Sequence, residues 1–346
     1  MPRARAAIGI CAGVAVIGGC TAGLKMSGDA GPMGGGGSGA GGTGSGNLGP
    51  GPDAPVCGMT TFGLDKIPPD LLVVLDKSGS MNQAVGTQQT SKWDDMTAAI
   101  NQVVGQTETT IRWGLKYFPN DEVCTVTDGT SVPIAAMNAA MIGTSIQATT
   151  AAGRTPTRVA VQSGASYLAS LAEPNPKYIL LATDGQPNCL DPGAGMSTPD
   201  EAGSIQAVAA AAAMGIPTFV IGIATTGDVA DLTLSQMATA GMRPRTGDPK
   251  YYPVSNKDDL VATLTMIGGQ IASCTFGLGS RPPDPTNIAV TADGARIMKD
   301  SSHSNGWDYG TGQTSIQLFG TWCDKAKAGT IKDVKAIFGC PGVVIP

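Results

Sequence analysis

Past its Gly-rich beginning, the chain alternates between two hydrophobic rhythms. Leu71-Leu72-Val73-Val74-Leu75 is an unbroken apolar run closed by Asp76, the pattern of a short strand covered on both faces. Tyr178-Ile179-Leu180-Leu181-Ala182 repeats it and ends in Thr183-Asp184-Gly185. Residues 111–118, stopped by Pro119, and 217–223 predict two more strands, with short ones over 131–135 and 251–254. Between them the spacing turns helical. Ser91-Lys92-Trp93-Asp94 reads as a capping box, opening a helix whose Trp93, Met96, Ile100, Val103 and Val104 share one face. Pro156 starts another helix, with Val159, Ala160, Ser163 and Tyr167 setting its period. Helices are also expected over 137–148, 199–214, 231–240 and 256–271. Strands alternating with helices over about 200 residues predict an α/β fold, Rossmann-like, with a mainly parallel sheet covered by helices on both faces.

The rhythm changes at both ends. After Cys274 helix signals fade, and 287–290, 295–298 and 315–319 read as strands, the first two joined by a tight turn at Asp293-Gly294. Residues 274–346 are therefore expected to form a small, disulfide-tied β-rich appendage on a main domain spanning 57–273. At the other end, Arg3 and Arg5 precede an apolar stretch of about 12 residues, too short to span a bilayer, so residues 1–19 read as an export signal. Ile17-Gly18-Gly19-Cys20 resembles the lipobox of bacterial lipoproteins. That resemblance implies cleavage before Cys20 and lipid on its sulfur, a membrane anchor, with Thr21 after it favouring the outer membrane. Residues 20–56 hold the lipidated cysteine and a Gly- and Ser-rich linker with little to bury. Such a tether reaches roughly 30 Å.

Composition narrows the chemistry. Charged residues make up 14% of the chain and the net charge is −5, with no basic run, which argues against a nucleic-acid partner. The single histidine, His303, lies in a polar loop, so a His-rich zinc site is excluded and a Ser-His-Asp triad would depend on that residue alone. Cys11 leaves with the signal. With Cys20 lipidated, Cys57, Cys124, Cys189, Cys274, Cys323 and Cys340 remain, an even number that in an exported chain predicts three disulfides.

Ligands of an open parallel α/β sheet bind where loops leave the carboxyl ends of the strands. Asp76 and Asp184 both stand at such ends, and beyond the first lies Asp76-x-Ser78-x-Ser80. Gly153-Arg154-Thr155-Pro156-Thr157 opens a helix between the two strands. Asp-x-Ser-x-Ser alone serves equally well as an ordinary turn. Three loops together offer two carboxylates and three hydroxyls, the all-oxygen set a hard divalent cation prefers.

In this order the motifs resemble the metal-ion-dependent adhesion site of von Willebrand factor A domains, a group that includes integrin I-domains and many bacterial surface proteins. The resemblance covers about residues 70–271. It implies that Ser78, Ser80 and Thr155 ligate Mg2+ (or Mn2+ or Ca2+) directly, with Asp76 and Asp184 doing so through water or in exchange with it. One departure is Arg154, where the family usually has glycine. Arg154 is left with two readings, pairing with a ligand carboxylate or pointing to solvent. In integrin-type domains the last helix slides to change affinity. Cys57 and Cys274 are expected to share the end of the sheet away from the metal, so a Cys57–Cys274 bond would restrain that slide. Cys124–Cys189 is expected at the metal face, and Cys323–Cys340 in the tail.

The function this implies is a non-catalytic, adhesion-type module, tethered to the cell envelope, whose metal accepts an acidic residue from an unknown protein ligand. The site offers no nucleophile paired with a general base. Two other readings stay open. One is a structural envelope protein in which the metal only holds loops together. The other is an accessory subunit of a metal-dependent enzyme complex such as a chelatase; the export signal opposes it, and no GxxxxGK[ST] loop is present.

Overall fold

The chain enters its fold through two short strands, β1 (Thr60–Gly63) and β2 (Asp65–Lys66), before the first apolar run, which forms β3 (Asp70–Asp76). The computed structural model describes residues 60–84, 89–121, 123–190, 198–225 and 230–339. The export signal, Cys20, the linker, Cys57 and Cys340 lie outside the described residues.

Alternation of strand and helix follows as expected. α1 (Lys92–Thr107) leads to β4 (Arg112–Phe118) and β5 (Val132–Ala135). α2 (Ala139–Gln147), α3 (Thr157–Ser170) and β6 (Lys177–Thr183) come next. Then come α4 (Glu201–Ala213), β7 (Thr218–Ile223), α5 (Ala230–Ala240), β8 (Tyr252–Val254) and α6 (Lys257–Ile271). The capping box is real: the Ser91 hydroxyl accepts from the Asp94 backbone N–H while the Asp94 carboxylate accepts from that of Ser91.

β3 to β8 form one sheet in the order β5-β4-β3-β6-β7-β8, parallel except for the edge strand β5. Successive side chains of β3 go to opposite faces. Leu71, Val73 and Leu75 pack with Met96 and Ile100 of α1 and Leu260 and Ile267 of α6. Leu72 and Val74 pack with Val161 and Leu168 of α3, Val208 of α4 and Leu234 of α5. The run is apolar throughout because both faces are buried. α3 comes especially close: a Cβ at Gly164 would stand 3.2 Å from methyl carbons of both Leu72 and Val74. From β3 the chain crosses first to β4 on one side and later to β6 on the other. The carboxyl ends of β3 and β6 therefore border the crevice where strand order reverses, the place such sheets use for ligands.

The remaining strands are β9 (Thr275–Gly277), β10 (Ile288–Ala292), β11 (Ala295–Ile297), β12 (Gly306–Tyr309), β13 (Ser315–Phe319) and β14 (Val334–Phe338), with α7 (Thr321–Lys327) after β13. They build two four-stranded antiparallel sheets, β1-β14-β10-β11 and β12-β13-β9-β2. Phe276, Val290, Trp307, Ile316, Leu318 and Ala336 fill a core of their own. Asp293 and Gly294 both have positive φ, 47° and 83°, as a two-residue hairpin turn of this kind requires.

Here the expected domain limits need correcting. β1 and β2 belong to the appendage, so residues 60–66 do not open the main domain, which is inserted between the first strands of the appendage and the rest. Thr60-Thr61-Phe62-Gly63 and Asp65-Lys66 are too short and too polar to show an alternating pattern.

Two of the expected cysteine pairings are also overturned. Cys274 bonds Cys323, with Cα atoms 5.2 Å apart, which removes both Cys57–Cys274 and Cys323–Cys340. β9 leaves α6 directly and pairs with β13, whose far end runs into α7, so the chain itself brings the two together. Lys327 Nζ adds a hydrogen bond of 3.1 Å to the Gln270 carbonyl, tying α7 to the last turn of α6. Cys124 and Cys189 are bonded to each other, with Cα atoms 5.9 Å apart.

Candidate metal centre

Asp76 ends β3 and Thr183 ends β6, the neighbouring strand, so the two loops that follow start side by side. Asp76 is fully buried. Its Oδ1 accepts the Ser78 backbone N–H at 2.7 Å and its Oδ2 accepts the Thr183 hydroxyl at 2.6 Å. The first bond bends the loop back on itself; the second fixes the carboxylate against the adjacent strand. A 3-10 turn over Gly79–Asn82 then brings the two serines together, with Ser78 Oγ and Ser80 Oγ 3.1 Å apart. Ser80 Oγ donates to Asp184 Oδ1 at 2.8 Å, across 104 positions of sequence.

The third loop is stitched to the first by its backbone. Gly79 N–H donates to the Gly153 carbonyl at 2.9 Å, and Ala152 N–H to the Lys77 carbonyl at 2.6 Å. Thr155 is 4% exposed, and its backbone N–H donates to Asn188 Oδ1 at 2.8 Å. Asn188 N–H returns a bond to the Thr155 carbonyl at 3.1 Å. The Cys124–Cys189 disulfide stands beside this exchange: Cys189 follows Asn188, while Arg154 N–H bonds the carbonyl of Val123, which precedes Cys124. Ser78, Ser80 and Asp184 thus share one side-chain network and Asp76 joins it through the backbone of Ser78. The Thr155 loop is tied to the first loop by the backbone of Ala152 and Gly153, while Thr155 itself bonds Asn188.

Two carboxylates in one buried place oppose each other. Burial, and then the charge of Asp184, push the Asp76 carboxyl up to about 7, with the Thr183 and Ser78 hydrogen bonds pulling the other way. One cation answers them. Lys92 Nζ lies 2.8 Å from Asp184 Oδ2, with the lysine side chain 11% exposed and the aspartate side chain fully covered. Lys92 was legible only as part of the capping box. A cation in the first turn of a helix is opposed by the helix dipole, and that misplacement is the one sign in the sequence that it has a partner elsewhere.

The donor set suits a hard cation. Hydroxyl and carboxylate oxygens converge within hydrogen-bond distance of one another. The site has two carboxylates, and no group of three or more His, Cys, Asp or Glu that could hold a metal forms among the described residues, here or elsewhere. His303 lies far along the chain, in the appendage. There it stacks on Phe319 at 4.2 Å and sits 3.2 Å from Asp308 Oδ2.

Comparison with known proteins gives a family match and several fold likenesses. The family described as von Willebrand factor type A domain matches residues 70–263. No curated protein sequence matches. In fold the chain is similar to the pilus adhesin SpaC from Lactobacillus rhamnosus GG in its open conformation, at 14% identity and a TM-score of 0.45, over 78% of this chain and 38% of that one. It is similar to the PilB minor pilin from Streptococcus sanguinis at 19% identity and a TM-score of 0.46, over 60% of this chain and 62% of that one. Proximal thread matrix protein 1 from the mussel byssus, with a zinc-occupied MIDAS motif, gives 15% identity and a TM-score of 0.44, over 64% and 52%. The chain thus spans less than two thirds of each of these proteins.

Proposed function

As the chain belongs to the von Willebrand factor type A domain family, we propose that it is a non-catalytic, metal-dependent protein-binding module of the cell envelope. Asp76, Ser78, Ser80, Thr155 and Asp184 are the residues that would hold Mg2+ (or Mn2+ or Ca2+). The observation that carries this reading is the Ser78–Ser80–Asp184 network, which gathers oxygens from two loops at the crevice between adjacent strands. A divalent ion bound there supplies an open coordination position for a carboxylate from a partner protein. The chain's own part is to hold the oxygens in place: Thr183 and the Ser78 amide fix Asp76, and Asn188 fixes the Thr155 loop.

Binding is favoured over turnover by the state of the two carboxylates. One oxygen of Asp184 is taken by Ser80 and the other by Lys92, while both oxygens of Asp76 accept hydrogen bonds from the chain. Neither is free to act as a general base. Placement at the envelope rests on the export signal, the lipobox ending in Cys20 and the linker behind it. The test is affinity capture from envelope extracts with and without chelator, beside Asp76→Ala. The reading expects partners that both treatments abolish. Recovery unchanged under both contradicts it, and a metal that raises stability with no partner recovered replaces it with a purely structural ion.

A further inference from the structure

We propose that Lys92 is a built-in competitor for the metal: its ammonium holds Asp184 in the metal-free protein and sets how tightly a divalent ion binds. This deepens the reading that Asp76, Ser78, Ser80, Thr155 and Asp184 form a metal site, and rests on it.

Three observations lead there. The first is placement. Lys92 opens α1, whose start is held by the Ser91–Asp94 capping box and by the Lys92 backbone N–H bonded to the Gln83 carbonyl at 2.9 Å. Its side chain leaves from a fixed point, and the residue is only 8% exposed. Burying an ammonium in a first helical turn runs against both desolvation and the dipole, so the compensating contact must be strong. That contact is Asp184 Oδ2 at 2.8 Å, with the carboxylate shielded from solvent.

The second observation is asymmetry. Asp76 is served by neutral donors, the Ser78 amide and the Thr183 hydroxyl, whereas Asp184 receives the full positive charge. The ammonium is therefore directed to one carboxylate of the pair. The third is saturation. Asp184 Oδ1 accepts from Ser80 while Oδ2 accepts from Lys92, so both oxygens are committed within the chain.

A divalent cation approaching Asp184 meets a carboxylate already neutralised and a second positive charge within ion-pair distance. Coulomb repulsion and the shared acceptor make the two cations rivals, and linkage requires whatever one gains to be lost by the other. Lys92 thereby keeps the metal-free fold from carrying two uncompensated buried carboxylates, at the expense of metal affinity. An ion that binds must displace or stretch the Lys92–Asp184 pair.

The experiment is calorimetric titration of the full chain with MnCl2 alone, comparing wild type, Lys92→Met, Lys92→Gln and Asp76→Ala, with folding of each checked by circular dichroism. Lys92→Gln keeps a hydrogen-bond donor and removes the charge, so it serves where Lys92→Met fails to fold. Competition predicts Mn2+ affinity about tenfold or more higher in both lysine variants, together with a lower Tm in chelator. A salt bridge that is merely structural predicts the lower Tm with no gain in affinity, and that result overturns the proposal while leaving the metal site standing. If neither wild type nor the lysine variants bind Mn2+, the metal reading itself falls and the competition with it. Binding by the lysine variants but not by wild type supports the competition, while contradicting the reading of the wild-type chain as a metal-dependent module.

Discussion

The Thr183 hydroxyl donates to Asp76 Oδ2 at 2.6 Å, joining the last residues of two neighbouring parallel strands where both side chains are fully buried. Thr183 is not one of the five residues proposed to hold the metal, yet it orients the carboxylate that begins the motif. Its near-isosteric replacement, Thr183→Val, leaves a buried oxygen without its donor. The expected cost is about 1–3 kcal/mol of stability in chelator, with metal affinity falling about tenfold through the lost orientation. Thr183→Ser keeps the hydroxyl and should recover most of both. Denaturant unfolding and metal titration on the same variants check this.

Asp76 also gives the metal-free protein a pH dependence of definite sign. Its folded-state carboxyl is raised to about 7 from 3.8, so between those values the folded chain binds more protons at this site than the unfolded chain. This contribution to stability therefore falls as pH rises through the window and is greatest below it. In chelator, Tm should drop from about pH 5 to about pH 8 more steeply in wild type than in Asp76→Asn. Parallel curves for the two proteins would contradict the assignment.

The Cys124–Cys189 bond closes a loop of 65 residues at the edge of the site. Chain-entropy reasoning gives a bond closing such a loop about 4 kcal/mol. Replacing both cysteines by serine should lower stability by up to that amount. It should also weaken metal binding, because Asn188, which holds the Thr155 loop, sits next to Cys189. Thermal melts and titration of the double variant test the two effects separately.

The central sheet was legible because β3, β6 and β7 are buried on both faces and so read as continuous apolar runs. The appendage was legible only in part: its first strands are short and polar, and they pair with residues more than two hundred positions away. The pairing of β9 with β13 decides the Cys274–Cys323 bond, which spacing alone could not give. The site motif shows the limit of local pattern. Asp300-Ser301-Ser302-His303-Ser304 has the same Asp-x-Ser-x-Ser letters, yet there Asp300 accepts from the Ser302 hydroxyl and from the backbone of Ser302, Ser304 and Asn305. Those bonds, made in the open, hold its carboxyl down to about 2. It is a self-satisfied turn. Asp76 differs because it closes a buried strand beside Thr183 and Asp184, a context the apolar run before it does reveal. Lys92 was the reverse case: its place in the first turn of a helix hints at a partner, but nothing in the sequence says that the partner lies 92 positions away.

The account stands most directly on metal titration of the purified full chain. Calorimetry with Mg2+ and Mn2+ should show one ion bound per chain in wild type and none in Asp76→Ala, with both proteins folded. A wild-type chain that binds no divalent ion, or an Asp76→Ala chain that binds as well as wild type, contradicts it.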